Sequence, residues 1–160
     1  MELNDIVDEN DNILRTVERG QNEMSDIFRV TGVLILNEKN EILLQLRSKN
    51  KKSYPLHWDC SGGGRVSTGK DYPTSAKREL FEETGIKTEL SFLGKHLLEL
   101  DDGRKHFIAF FKGKYHGKIN IDQNEVSKME FFSKDEIIKM IGNGEKIHPG
   151  CMFGLKKYFL

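Results

Sequence analysis

A chain of 160 residues carries 25 basic and 25 acidic side chains, with 37% hydrophobic and 31% charged residues. That composition excludes a disordered chain, a collagen-like repeat and a membrane-spanning protein, and zero net charge gives no reason to expect nucleic acid or an acidic bilayer as partner. The length fits a single domain over residues 1–160, large enough to bury about two thirds of its unfolded surface without disulfides or a structural metal.

Cys60 and Cys151 are too few and too far apart in sequence for a disulfide framework, which points to a reducing, cytoplasmic compartment. The acidic start, Met1 to Ile6, has no apolar h-region, so no secretory signal is expected. No run of about 18 apolar residues occurs, so no bilayer span is expected either.

In chain order, residues 3–17 read as two short strands around the polar turn Glu9-Asn10-Asp11-Asn12. Phe28 to Leu36 is an aliphatic, partly β-branched run that stops at Asn37–Asn40 and resumes as Glu41 to Leu46, a hairpin pattern. A basic, turn-rich stretch from Arg47 to Tyr54 leads to Ser61-Gly62-Gly63-Gly64, whose glycines let backbone approach a ligand or another segment. Asp71 to Thr84 reads as a helix with Asp71 as N-cap, Pro73 in the first turn and Gly85 as its stop. Strands are expected over 87–100 and 104–115, joined by Asp101-Asp102-Gly103, and again over Met129–Phe132. Ser133 and Glu136 have the capping-box spacing for a further helix, and His148 to Leu160 close the chain as a short one. Strands on both sides of a central helix imply a mixed sheet with helices packed on its faces, an α/β fold.

Chemistry concentrates in Arg78-Glu79-Leu80-Phe81-Glu82-Glu83-Thr84-Gly85-Ile86. At about 100° per residue, Glu79, Glu82 and Glu83 fall within an arc of about 100°, while Ala76, Leu80 and Thr84 line the flank that can pack on a sheet. Glu79 therefore meets like charge at i+3 and i+4, each pair costing a few tenths of a kcal/mol in an isolated helix. A hard divalent cation such as Mg²⁺ or Mn²⁺ would offset that repulsion. The alternative is a solvated acidic face with Arg78 paired to Glu82. The glycine loop ahead of the helix favours the cation.

Gly64 followed by Arg78-Glu79-Leu80-x-Glu82-Glu83-x-Gly85-Ile86 resembles the Nudix box, G-x5-E-x7-R-E-U-x-E-E-x-G-U, where U is aliphatic. Eight of its nine specified positions match, and Lys70 stands where the first glutamate would be. Ile42-Leu43-Leu44-Gln45-Leu46-Arg47 and Pro55-x-x-Trp58 are similar to the branch of the superfamily nearest isopentenyl diphosphate isomerase. The resemblance implies a Nudix-type α/β/α sandwich with a mixed β-sheet. It also implies a Mg²⁺-dependent hydrolase, with Mn²⁺ as a substitute, that cleaves a phosphoanhydride bond in a nucleoside diphosphate linked to another moiety. By position, it makes Glu79, Glu82 and Glu83 metal ligands, with Glu82 as an alternative general base and Arg78 orienting a glutamate. Gly63 and Gly64 would let the loop approach metal and phosphate.

Around the box, the resemblance makes Arg47 and Lys52 candidates for diphosphate contact and Glu125 a candidate base or extra ligand; a solvated loop and a surface glutamate are the alternatives. Trp58 reads as packing, and the five histidines, lacking metal-ligand spacing, read as structural or solvated. Lys70 makes a degenerate domain that binds nucleotide or a protein partner without hydrolysis the rival from another class. An isopentenyl diphosphate isomerase is the nearer rival, but that family's catalytic cysteine directly precedes the loop glycine, where this chain has Gly63; Cys60 lies too early, and Phe28 stands where a histidine is expected. The implied partner is a small nucleoside diphosphate derivative. Family members often form homodimers, and the sequence settles no oligomeric state.

Overall fold

The computed structural model describes residues 2–160. The first strands, β1 (Leu3–Val7) and β2 (Ile13–Glu18), form an antiparallel hairpin turning through Asp11, whose φ is 65°. The ten-residue β3 (Ile27–Leu36) is the axis of the sheet. Along one edge it pairs in parallel with β8 (Lys105–Lys114), from Ile27↔Lys105 to Leu36↔Lys114, and β8 in turn pairs with β7 (Ser91–Glu99).

Along its other edge β3 meets three partners in succession. They are β1 at Ile27 and Phe28, β6 (Gly62–Arg65) from Val30 to Val33, and β4 (Ile42–Arg47) at Ile35 and Leu36. Beyond Leu43, β4 leaves β3 and pairs with the two-residue β5 (Trp58–Asp59), while β9 (Val126–Phe132) runs along its other edge from Ile42. The segment from Trp58 to Arg65 thus enters a fork between β3 and β4, bonding first to one branch and then to the other. Ser61 sits in the crotch. Its N–H donates to the Val33 carbonyl at 2.8 Å, its Oγ accepts from the Ile35 N–H at 2.8 Å, and its hydroxyl donates to the Leu43 carbonyl.

Alternation along β3 assigns the two faces. Val33 and Ile35 join Leu43, Ala109 and Phe111 beneath α1 (Tyr72–Thr84), which contributes Ala76 and Leu80. Leu34 joins Leu44, Trp58, Ile108 and Phe110 on the other face, covered by Ile137 and Met140 of α2 (Lys134–Gly142) and by Cys151 and Leu155 of α3 (Pro149–Tyr158). The result is the expected α/β/α sandwich on a mixed sheet. Trp58 packs edge-on to Phe132 at 5.1 Å, in the structural role expected of it.

Both helix N-termini read from the sequence form as expected. Asp71 accepts from Thr74 N–H at 2.8 Å, and Ser133 and Glu136 make a reciprocal capping box. Gly85, at φ 75°, ends α1 and donates to the Phe81 carbonyl. Two strand boundaries differ. Residues 87–90 are not a strand, because Thr88, Glu89 and Leu90 fold over Gly113 of β8, where a Cβ would meet Glu89 O at 2.8 Å. β9 begins three residues early, at Val126, because β4 extends to Arg47 and offers it a partner there.

Removing the Ser61 hydroxyl strands a buried N–H and a buried carbonyl. Ser61→Ala is expected to cost about 1–3 kcal/mol in chemical denaturation, with the loss on the scale of unsatisfied buried polar groups.

Candidate active site

The parted strands enclose a cavity of about 350 Å³ into which α1 turns its carboxylates. Helical spacing puts Glu79 and Glu83 one turn apart, and three glycines bring the helix close enough to use them. A Cβ on Gly62 would lie 3.0 Å from Leu80 Cα, and one on Gly64 would lie 2.8 Å from the Glu79 carboxyl carbon. Gly63 has φ 148° and backs onto β3, where a Cβ would meet Thr31 O at 2.1 Å. Gly63 must be glycine, since its clash is with backbone at positive φ, whereas at Gly64 an added Cβ would push the Glu79 carboxylate aside.

Glu83 is held on one oxygen only. Its Oε1 accepts from Gln45 Nε2 at 3.1 Å and from Gly63 N–H at 3.2 Å. The same Gln45 amide donates to the Ser61 carbonyl, so the fork positions the glutamate. Glu79 Oε1 accepts from Arg78 Nη2 at 3.2 Å. Among the described residues, Oε2 of both glutamates has no hydrogen-bond partner. Glu82, the third of the set, is exposed at the rim.

Burial pushes the Glu79 carboxyl up to about 7, eased by Arg78 and aggravated by Glu82. Burial pushes Glu83 up to about 8, with repulsion from Glu79 adding to it against relief from Gln45 and Gly63. Two desolvated carboxylates that repel each other, each with a free oxygen, form a donor set of hard oxygens suited to Mg²⁺ or Mn²⁺.

The remaining candidates divide. Arg47 lines the cavity, but its guanidinium is largely engaged: Nη1 donates to Asp59 at 3.1 Å, and Nε and Nη2 donate to the carbonyls of Ser53 and Tyr54. Lys52 is exposed and does not line the cavity; the neighbouring Lys51 does, turned inward by the Ser48–Lys51 turn and paired with Glu125. Glu125 is therefore at the cavity, with a cation already beside it. Lys70 is exposed in the Ser67–Lys70 turn and lies outside the cavity, while Asp71 is occupied as N-cap.

Arg65 and Arg104, which no motif marks, also line the cavity, as do His106 and His148, whose spacing suggests only structural or solvated roles. His106 reaches it through the parallel β3–β8 pairing, and His148 as N-cap of α3, its Nδ1 accepting from Gly150 N–H at 3.0 Å.

With this geometry in view, residues 27–151 match the NUDIX domain family model. The chain belongs to the Nudix family. A Nudix hydrolase of Listeria monocytogenes is 30% identical over 92% of this chain and 89% of its own length. Another, from Pseudomonas aeruginosa, is 33% identical over 78% of this chain and 75% of that one. Isopentenyl-diphosphate delta-isomerase of Schizosaccharomyces pombe is 29% identical over 86% of this chain and 72% of that one. Among solved folds, a Deinococcus radiodurans protein superposes with a TM-score of 0.87 over 99% of this chain and 100% of its own, at 19% identity. The NUDIX domain of Shewanella oneidensis NrtR, crystallised with ADP ribose, does so with a TM-score of 0.67 over 88% and 90% at 11% identity. No helix among the described residues is long and apolar enough to cross a membrane.

Two outcomes follow from the Nudix carboxylates. A carboxyl whose folded pKa is raised binds more protons in the folded than in the unfolded chain, so its contribution to stability is greatest below about pH 4.5 and is lost as pH rises towards 8. In chelator, the thermal midpoint is expected to fall from about pH 5 to about pH 8, and Mg²⁺ should remove most of that fall. Gly64→Ala should displace the Glu79 carboxylate while the sheet survives, weakening Mn²⁺ binding about 10-fold or more by calorimetry, with an unchanged far-ultraviolet spectrum.

Proposed function

We propose that this Nudix protein hydrolyses a phosphoanhydride bond in a nucleoside diphosphate linked to another moiety. The observation that carries the proposal is the pair Glu79 and Glu83, each with one oxygen anchored and the other free, lining a cavity that also presents Lys51 and arginines. Family membership and the ADP ribose bound by the NrtR domain support the substrate class.

Glu79, Glu82 and Glu83 would hold a divalent cation, which supplies neutralisation of phosphate charge and a lowered pKa for water. The rest is this chain's own work. Gly63 N–H and Gln45 fix one oxygen of Glu83 so that the other points to the site without rotamer searching. Arg78 restrains Glu79 by a charge-assisted bond. Lys51 and Arg47 supply positive charge on the loop side, where phosphate oxygens gain it. Glu82 at the rim and Glu125 beside Lys51 are the two carboxylates available to take a proton from the attacking water.

The isomerase alternative meets a steric obstacle. Its cysteine would stand at Gly63, and that backbone has no room for a side chain. Cys60 instead lies buried beside Cys151. The binding-only alternative rests on Lys70, which is exposed and does not line the cavity, whereas Glu79, Glu82 and Glu83 do line it, which favours hydrolysis.

The test is turnover of nucleoside diphosphates, triphosphates and their conjugates with Mg²⁺ or Mn²⁺, resolved by chromatography. Metal-dependent hydrolysis is expected, with kcat reduced about 100-fold or more in Glu83→Gln and in Glu79→Gln, on the scale of losing one catalytic group. Retained nucleotide and metal binding without turnover across the panel would replace hydrolysis with binding.

A further inference from the structure

Neighbouring residues of β6 point to opposite sides of the strand, so Gly64 faces Glu79 and Arg65 turns to the other face of the sheet. There Arg65 lies opposite Val30, two residues from Phe28, and Phe28 pairs with His106 across β3 and β8. The Arg65 guanidinium stacks 4.0 Å above the Phe28 ring, which in turn stacks on His106 at 6.2 Å and 23°. Arg104, two residues before His106, also lines the cavity, near enough for its charge to act on both Arg65 and His106.

The charges of this wall do not close. Among the described cations lining the cavity, Arg19, Arg47, Lys51, Arg78 and Arg104 each pair with a carboxylate: Glu2, Asp59, Glu125, Glu79 and Asp102. Arg65 pairs with none. It is partly buried, and Arg19 and Arg104 add their repulsion to the cost of its burial. His106 is 94% buried, by its 6% exposure, lines the same cavity, and has an Nε2 with no hydrogen-bond partner. Burial holds that imidazole at about 4, so at neutral pH it offers one N–H and one lone pair and no charge. A guanidinium lying flat on an aromatic ring keeps its N–H fork free in its own plane, the geometry that grips a phosphate or carboxylate with two bonds.

We propose that Arg65, with Arg104 and His106, forms a second anion subsite, so that the preferred substrate carries a further phosphate or a carboxylate beyond the bond that is cleaved, in place of a neutral sugar or nucleoside. For the substrate it rests on the hydrolase assignment; for the anion it does not. Arg65, Arg104 and His106 line the same cavity as Glu79 and Glu83, so one molecule can occupy both ends of it.

Two measurements separate the two claims. Metal-free full-length protein, titrated with inorganic phosphate by NMR, should show saturable shifts at the Arg65 Nε–H and the His106 ring. Arg65→Gln should abolish the His106 shift, and Arg65→Lys should recover part of it. Shifts confined to Arg47 and Lys51, or unaltered at His106 in Arg65→Gln, overturn the subsite, and so does the absence of any shift. With Mg²⁺, the ratio of kcat/KM for ATP to that for ADP-glucose should fall about 10-fold in Arg65→Gln, the loss expected for one charged hydrogen-bonded contact. An unchanged ratio overturns the anion preference. If neither compound turns over, the hydrolase assignment is in question, and the phosphate titration still decides the subsite.

Discussion

Ser61 accepts a hydrogen bond from Ile35, donates one to Leu43, and with those bonds closes the gap that opens where β3 and β4 part. Without a polar group there, two buried backbone groups would be unpaired. Its own carbonyl then takes the Gln45 amide, and the second hydrogen of that amide goes to Glu83. Ser61 and Gln45 thus connect the backbone of the two branches to the Glu83 carboxylate, whose proton affinity burial raises. The cavity exists because the strands part, and the glutamate is aimed into it because the same serine marks where they do.

The site also explains the glycines. Gly62, Gly63 and Gly64 each face something different: the α1 backbone, the Thr31 carbonyl and the Glu79 carboxylate. A side chain at any of the three would press on the helix, the β3 backbone or the glutamate. Close approach desolvates Glu79 and Glu83, and desolvation is the first cause of their raised proton affinity. Packing and chemistry are therefore one arrangement here.

The parts legible in the sequence are those set by local spacing. Helix periodicity placed Glu79, Glu82 and Glu83 on one side, the caps at Asp71, Gly85 and Ser133 follow from nearest neighbours, and the α/β/α layering follows from alternation of strands and helices. The choice of Lys52 over Lys51 lay beyond that logic, because the 47–57 loop runs through left-handed residues at Tyr54 and Leu56 that no pattern announces. Arg65 meets Phe28 through the antiparallel β3–β6 pairing and His106 meets it through a parallel pairing about 78 residues apart in sequence, and metal-ligand spacing says nothing of either. Alternation in Arg104-x-His106-x-Ile108 was the available sign that all three share a face.

One consequence lies in where α1 carries its charge. Glu79 stands in its C-terminal half and Glu82 and Glu83 in its last turn, which has no basic residue, so they sit at the negative pole of the helix macrodipole. Excised from the protein, that turn would fray; it stays helical because Leu80 is locked against β6 and Gly85 seals the end. Side chains, backbone carbonyls and dipole all direct negative potential to one spot. The turn that contributes least to the helix as a helix is the one that would gain most from a cation.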